Sequence, residues 1–352
     1  MFRRACLALA LLLSATGCQR AQEAPGFTES RTPPDLAARF FMPEGWAWGN
    51  VQVGSNPPQR YGVATTWRAP RAIVVILPDT GECAEAWFET AGDLTRRSYS
   101  VWVLDRASEC GSGRLTTPRD RVHVKTFDPD LAAVKALMGV VIRPKGDIPV
   151  ILLGQGQGAL MALRAVETGL NVDGLILSSP TRQAPKPWRA WTRETPNAFQ
   201  SGKTHDPWRG RVTQSWMIAN PDLRGSGPSS DWLKQAETLS EKSRRDAKNL
   251  GKATLILSPG PTPQADLDLC GRIATCSISP IPGAMSALSL EEDTWRTPWL
   301  DGVVRFIAGK ADAARRVGKD RKEPALPLVP SPVTEDMRPK DIPTGSEGDA
   351  GP

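Results

Sequence analysis

The chain has 352 residues, with 44 Lys and Arg against 38 Asp and Glu, a formal net charge of +6. Apart from one cluster at 310–322 the basic residues are dispersed, so the charge belongs to a solvated surface and tail and not to a nucleic-acid module. Two histidines and no C-x-x-C pair leave no plausible metal ligand set, and nothing in the sequence calls for a cofactor.

The N-terminus reads as an export signal. Phe2-Arg3-Arg4 is a basic n-region, and 5–13 is an apolar stretch too short to cross a bilayer as a stable helix. Ser14-Ala15-Thr16-Gly17-Cys18 resembles a bacterial lipobox, which implies cleavage before Cys18 and a lipid on that cysteine. Losing Arg3 and Arg4 with the signal leaves a charge of +4. Gln19, where inner-membrane retention signals carry Asp, points to outer-membrane anchoring facing the periplasm. The expected organisation is a signal over 1–17, a lipidated polar tether over 18–31, one domain over 32–309 and a disordered tail over 310–352. The tail is rich in Pro and charge and too poor in large apolar residues to bury a core of its own.

Within the domain, apolar runs bounded by turn residues alternate with helical patterns, the mark of a mostly parallel sheet wrapped by helices. In chain order, 46–53 and 61–67 are expected as antiparallel strands, then 72–77 as a strand, 87–97 as a helix and 100–105 as a strand. A helix over 128–141, a strand over 147–154, a helix over 159–166 and a strand over 172–178 follow. The segment 180–251 breaks the alternation as a Pro-interrupted, partly helical insertion carrying Trp188, Trp191, Trp208, Trp216 and Trp232. These tryptophans either line a ligand groove or staple a cap to the sheet. Strands at 254–257 and 276–281 and a helix over 293–307 close the domain.

The most informative motif is Gly154-Gln155-Gly156-Gln157-Gly158. It lies between an apolar strand and a helix, the context of the G-x-S-x-G nucleophile elbow, whose turn lifts a serine above the sheet. The serine slot is Gly156. A phosphate-cradling loop is the weaker reading, since the P-loop lysine and an acidic ribose ligand are both missing.

Further motifs make the chain resemble the lysophospholipase and monoacylglycerol-lipase branch of the α/β-hydrolases, the serine aminopeptidase S33-like group. Leu77-Pro-Asp-Thr-Gly-Glu82 stands where that branch has L-H-G-x-G-E, and Arg121-Val-His-Val-Lys-Thr-Phe-Asp128 is similar to its R-x-H-V-x-S-F-D. Tyr99-Ser-Val-Trp-Val-Leu-Asp105 with Cys110-Gly-Ser-Gly-Arg114 resembles the segment after its next strand. In the insertion, Thr204-His-Asp206, Ala219-Asn-Pro-Asp-Leu223 and Gly227-Pro-Ser-Ser-Asp-Trp-Leu233 are similar to its cap; Pro282-Gly-Ala284, with Glu291 and Arg296, is similar to its histidine loop. The resemblance implies an α/β-hydrolase fold with a Trp-rich helical cap.

It also implies where the chemistry should be, and there the residues differ. The serine falls on Gly156, the histidine on Ser286 and the acid near Thr262, with Asp266 or Asp268 as neighbours that could stand in. The oxyanion loop falls on Pro78 and Asp79, leaving backbone N–H groups at Gln157 and beyond Asp79 as possible donors. Of the two histidines, His123 reads as a structural hydrogen-bonding residue and His205 as a cap residue; Ser178 and Ser179 face the cleft without an obvious base. Four cysteines remain after Cys6 and Cys18, an even number that suits two disulfides in an exported protein. In this fold Cys83 and Cys110 follow neighbouring strands and are placed to pair, and Cys270 and Cys276 would pinch a short loop. The expected function is a non-catalytic binding or scaffold module for a lipid, glycan or protein ligand at the cell envelope. The alternative is an ester or lysophospholipid hydrolase with a relocated nucleophile.

Overall fold

The computed structural model describes residues 29–180 and 202–320. The signal region, Cys18, Trp188 and Trp191, and the tail beyond Asp320 lie outside the described residues.

Eight strands form one sheet in the order β1-β2-β4-β3-β5-β6-β7-β8. They are β1 (Trp46–Val51), β2 (Gln59–Ala64), β3 (Ala72–Leu77), β4 (Tyr99–Leu104), β5 (Val150–Gln155), β6 (Gly174–Ser178), β7 (Thr254–Pro259) and β8 (Cys276–Ile281). The pairs β1–β2 and β2–β4 are antiparallel and all the others parallel, as expected for the 46–53 and 61–67 segments.

Among the described residues seven α-helices wrap it: α1 (Phe88–Thr95), α2 (Asp128–Ala136), α3 (Gln157–Glu167), α4 (Val212–Ala219), α5 (Ser230–Asp246), α6 (Gln264–Arg272) and α7 (Asp293–Asp320). Strand β3 is fully buried, and its alternate residues feed two cores. Ile73, Val75 and Leu77 pack with α2, α3 and α5; Ala72, Val74 and Ile76 pack with α1, α4 and α7. A continuous apolar run buried on both faces is what a central parallel strand requires.

Two boundaries differ from expectation. The tail was expected to be disordered from 310, yet α7 continues to Asp320. Val303, Ile307 and Ala311 are all buried at a spacing of four, so the helix keeps one apolar stripe for another turn, and Asp312 pairs with Arg71 at 3.4 Å. Average composition masked that stripe. The tether also ends sooner than residue 31. The Arg31 N–H donates to Asn220 Oδ1 at 2.7 Å, Asn220 Nδ2 donates back to the Arg31 carbonyl at 2.8 Å, and Ser30 bonds Glu85. The expected helix over 128–141 is α2 followed by a π-helical turn, Leu137–Ile142, closed by Arg143 at φ +46°.

Both disulfides are present. Cys83 pairs with Cys110 and Cys270 with Cys276, with Cα separations of 5.3 Å and 5.4 Å. Beside the first of these bridges, the Arg114 guanidinium donates to the carbonyls of Cys110, Asp222 and Arg224, tying that rim to the insertion.

Candidate functional site

The elbow is built as the sequence implied. Gly156 connects β5 to α3 at φ +55°, ψ −118°, a left-handed turn that glycine adopts without strain. Gly158 is needed for contact as well: a Cβ there would meet the Leu77 carbonyl oxygen at 2.0 Å, so α3 can lie directly against β3. The geometry that presents a nucleophile is intact.

The space above Gly156 is filled. A Cβ on Gly156 would stand 2.3 Å from Asp79 Oδ1 and 2.4 Å from its Cγ. Asp79 is 5% exposed. Its Oδ1 accepts the Gln157 N–H at 2.9 Å, the backbone donor that follows the nucleophile position and serves as an oxyanion-hole donor in elbows of this type. Lys203, from the insertion, brings its Nζ to 3.6 Å from Asp79 Oδ2. The Asp79 N–H itself donates to Glu82 Oε2 at 3.2 Å. A carboxylate supplied by the protein thus sits where the oxyanion of a reacting ester would need to be.

Below it lies a buried polar chain. Gln155 Nε2 donates to both Glu82 oxygens at 2.9 and 3.1 Å, and Gln155 Oε1 accepts the Ser289 N–H at 3.1 Å. Ser178, one of the cleft serines, accepts from Trp299 Nε1 at 3.1 Å and donates to Gln155 Oε1. Burial pushes the Glu82 carboxyl up to about 7, the neighbouring Asp79 charge adds to the rise, and Lys203 opposes it.

The family described as Serine aminopeptidase, S33 matches residues 68–260, more than half of the chain. The chain belongs to this family. Among solved structures, it is similar to a soluble variant of monoglyceride lipase from Saccharomyces cerevisiae in complex with a substrate analog, at 15% identity and a TM-score of 0.61, covering 80% of this chain and 99% of that one. It is also similar to a carboxyl esterase from Bacillus coagulans, at 16% identity and TM-score 0.59, with 75% and 99% covered. A monoacylglycerol lipase from Paleococcus ferrophilus gives 17% and 0.56, with 71% and 98% covered. These likenesses show the fold. No curated protein matches the chain.

The remaining triad positions of this S33-family chain are dispersed among other contacts. Ser286 is half-buried in the loop after β8, and Thr262 is half-buried in the turn after β7. Asp266 is fully buried and accepts from Ser258 Oγ at 2.5 Å, while Asp268 is exposed and accepts from Gln264.

His123 lies 2.9 Å from Ser229 Oγ through Nδ1, a hydroxyl–imidazole pair in form. That hydroxyl already caps α5 by accepting the Trp232 N–H at 3.1 Å, so the pair is a helix terminus and supports the structural reading of His123. His205 stacks on Trp295 with ring centroids 4.2 Å apart, and its Nδ1 lies 3.1 Å from Glu291 Oε1. Buried Glu291 also gathers the N–H groups of His205 and Met285 and the Thr204 hydroxyl.

Of the insertion's tryptophans, Trp216 packs edge-on to Phe88 and Trp232 edge-on to Phe127, both buried, which is the stapling arrangement. Trp208 is exposed. Among the described residues no His, Cys, Asp and Glu cluster could hold a metal, and no helix is long and apolar enough to cross a membrane.

Sequence reasoning placed Gly156, Asp79 and Gln157 at the elbow but did not bring Glu82, Gln155 or Lys203 to it as a network. The available signal was the pairing of a lost side chain at Gly156 with a gained one at Asp79. Lys203 has no such signal, because its reach depends on how the insertion folds back.

Proposed function

We propose that this S33-family chain is a non-catalytic binding or scaffold module of the cell envelope, held to the outer membrane through a lipid on Cys18 and taking a lipid, glycan or protein ligand on its cap side. The observation that carries this reading is the Asp79 carboxylate bonded to the Gln157 N–H above a side-chain-free Gly156. Acyl transfer needs a nucleophile, a base within hydrogen-bond reach and free donors for the oxyanion. Here the serine slot holds glycine, the histidine slot holds Ser286, and Asp79 occupies the donor.

A hydrolase with a relocated nucleophile is the rival reading, and one observation favours it: His205 has an acid, Glu291, on its Nδ1, as an oriented general base does. A panel of p-nitrophenyl acyl esters and lysophospholipids, assayed with the full chain, separates the two. The proposal expects no rate above buffer at any chain length. Turnover that is lost in His205→Ala would establish the rival.

A further inference from the structure

A second concavity lies away from the elbow. It is an open groove of about 900 Å³ running along α1, with residues 38–45 on one wall and the 65–68 loop on the other. Its far end is formed by Thr95, Arg96 and Ser98, just before β4 begins, at the opposite end of the sheet from Gly156. Trp67 stands in it 88% exposed, with Phe41 at 43% and Met42 at 36%. Three large apolar side chains exposed along one groove offer a contact surface for an apolar ligand segment.

The end of the chain is close by. Arg71, which follows the Trp67 loop, pairs with Asp312 on α7, and its N–H donates to the carbonyl of Ser98 at 2.8 Å, a groove residue. From Asp312 to the end of α7 at Asp320 the helix rises about 12 Å. The sequence that follows contains Pro324-Ala-Leu-Pro-Leu-Val-Pro330, with proline at every third position. Polyproline II repeats every three residues, so this period puts Pro324, Pro327 and Pro330 on one ridge with Leu326 and Val329 on another. Such segments enter aromatic-lined grooves at low entropic cost, because they are extended before they bind. Four residues from Asp320 to Pro324 span at most about 14 Å, enough for the chain to turn back along the last ~12 Å of α7 toward Asp312 and its partner Arg71.

We propose that the groove along α1 is the docking site for the chain's own 324–330 segment, bound in cis as a polyproline II helix against Trp67, Phe41 and Met42. The proposal is independent of whether the elbow is catalytic. Docking ties the C-terminal segment to the face that carries residues 38–45, and so covers Trp67, Phe41 and Met42, which stand among the charged side chains of Arg39, Arg68 and Arg96.

Hydrogen exchange read by mass spectrometry on the full chain tests it. In a Leu326→Ser/Leu328→Ser/Val329→Ser variant, amides in 38–45 and 65–68 should exchange at least about fivefold faster, while 72–77 in the core is unchanged. Trp67→Ala should speed exchange at 325–333 in the same way. A synthetic peptide of residues 321–334 should restore protection to the triple variant and fail to do so on Trp67→Ala. Equal exchange in the wild type and the triple variant would overturn the proposal. So would protection that falls on dilution, which assigns the groove to a second copy, or protection that arises only with phosphatidylglycerol vesicles, which assigns it to a lipid surface.

Discussion

The Asp79 side chain is held by the Gln157 N–H at its Oδ1 and by Lys203 at its Oδ2, while its backbone N–H donates to Glu82. A side chain so held has little room to yield, which makes Gly156 and Asp79 a coupled pair. Gly156→Ser should therefore cost about 1–3 kcal/mol of stability through overpacking. Asp79→Gly in the same chain should recover most of it, a non-additivity readable by a double-mutant cycle in urea. On the proposed non-catalytic reading the double variant should hydrolyse no ester, because Ser286 and Thr262 supply neither base nor acid.

Glu82 gives a second test. Its folded carboxyl titrates at about 7 against an ordinary value of 4.5, and burial likewise raises Asp130 from 3.8 to about 7. Between the two values the unfolded chain has released protons that the folded one retains, so stability should fall as pH rises from about 4.5 to 7 and level off above that. Urea unfolding across this window should show a loss of about 2 kcal/mol or more, and Glu82→Gln should flatten part of the slope. A rise in stability over the same window would contradict the buried, proton-retaining placement of both groups.

At the scale of elements, the described part of the insertion is held by termini and rings. Ser229 caps α5 and meets His123, while Trp216 and Trp232 fix α4 and α5 to the two faces of the fold. Ser229→Ala should cost about 1 kcal/mol, and Trp216→Ala about 3–5 kcal/mol, both measurable by denaturant unfolding. The two disulfides should differ: the pair 27 residues apart constrains the unfolded chain more than the pair six apart. Replacing Cys83 and Cys110 by serine should cost about 3 kcal/mol, and replacing Cys270 and Cys276 less.

Elements of this kind were legible because their signals are local. The run at 72–77 can only be a buried strand, and glycines at 154, 156 and 158 between a strand and a helix can only be a tight turn. The extent of α7 was not legible, since Ala311, the residue that carries its apolar stripe onward, is an alanine in a charged stretch. The polar chain from Asp79 through Glu82 and Gln155 to Ser178 was not legible either. Its links from Glu82 to Gln155 and from Gln155 to Ser178 join residues that the fold brings together and the sequence holds apart.

Over the whole molecule, an α/β-hydrolase scaffold carries an elbow with no side chain at Gly156. The sheet order and the elbow turn are those of an α/β-hydrolase, the rim is tied by Cys83–Cys110 and Arg114, and the Asp79 carboxylate bonds the Gln157 N–H beside Gly156. A fold of this kind supports many functions, so the site carries the argument. The most direct test is to incubate the full chain with a fluorophosphonate serine-hydrolase probe, read the intact mass and map any adduct to its residue. A filled site predicts an unmodified mass with the fold intact. A stoichiometric adduct on a cleft serine such as Ser178, Ser179 or Ser286 would contradict it and identify the nucleophile.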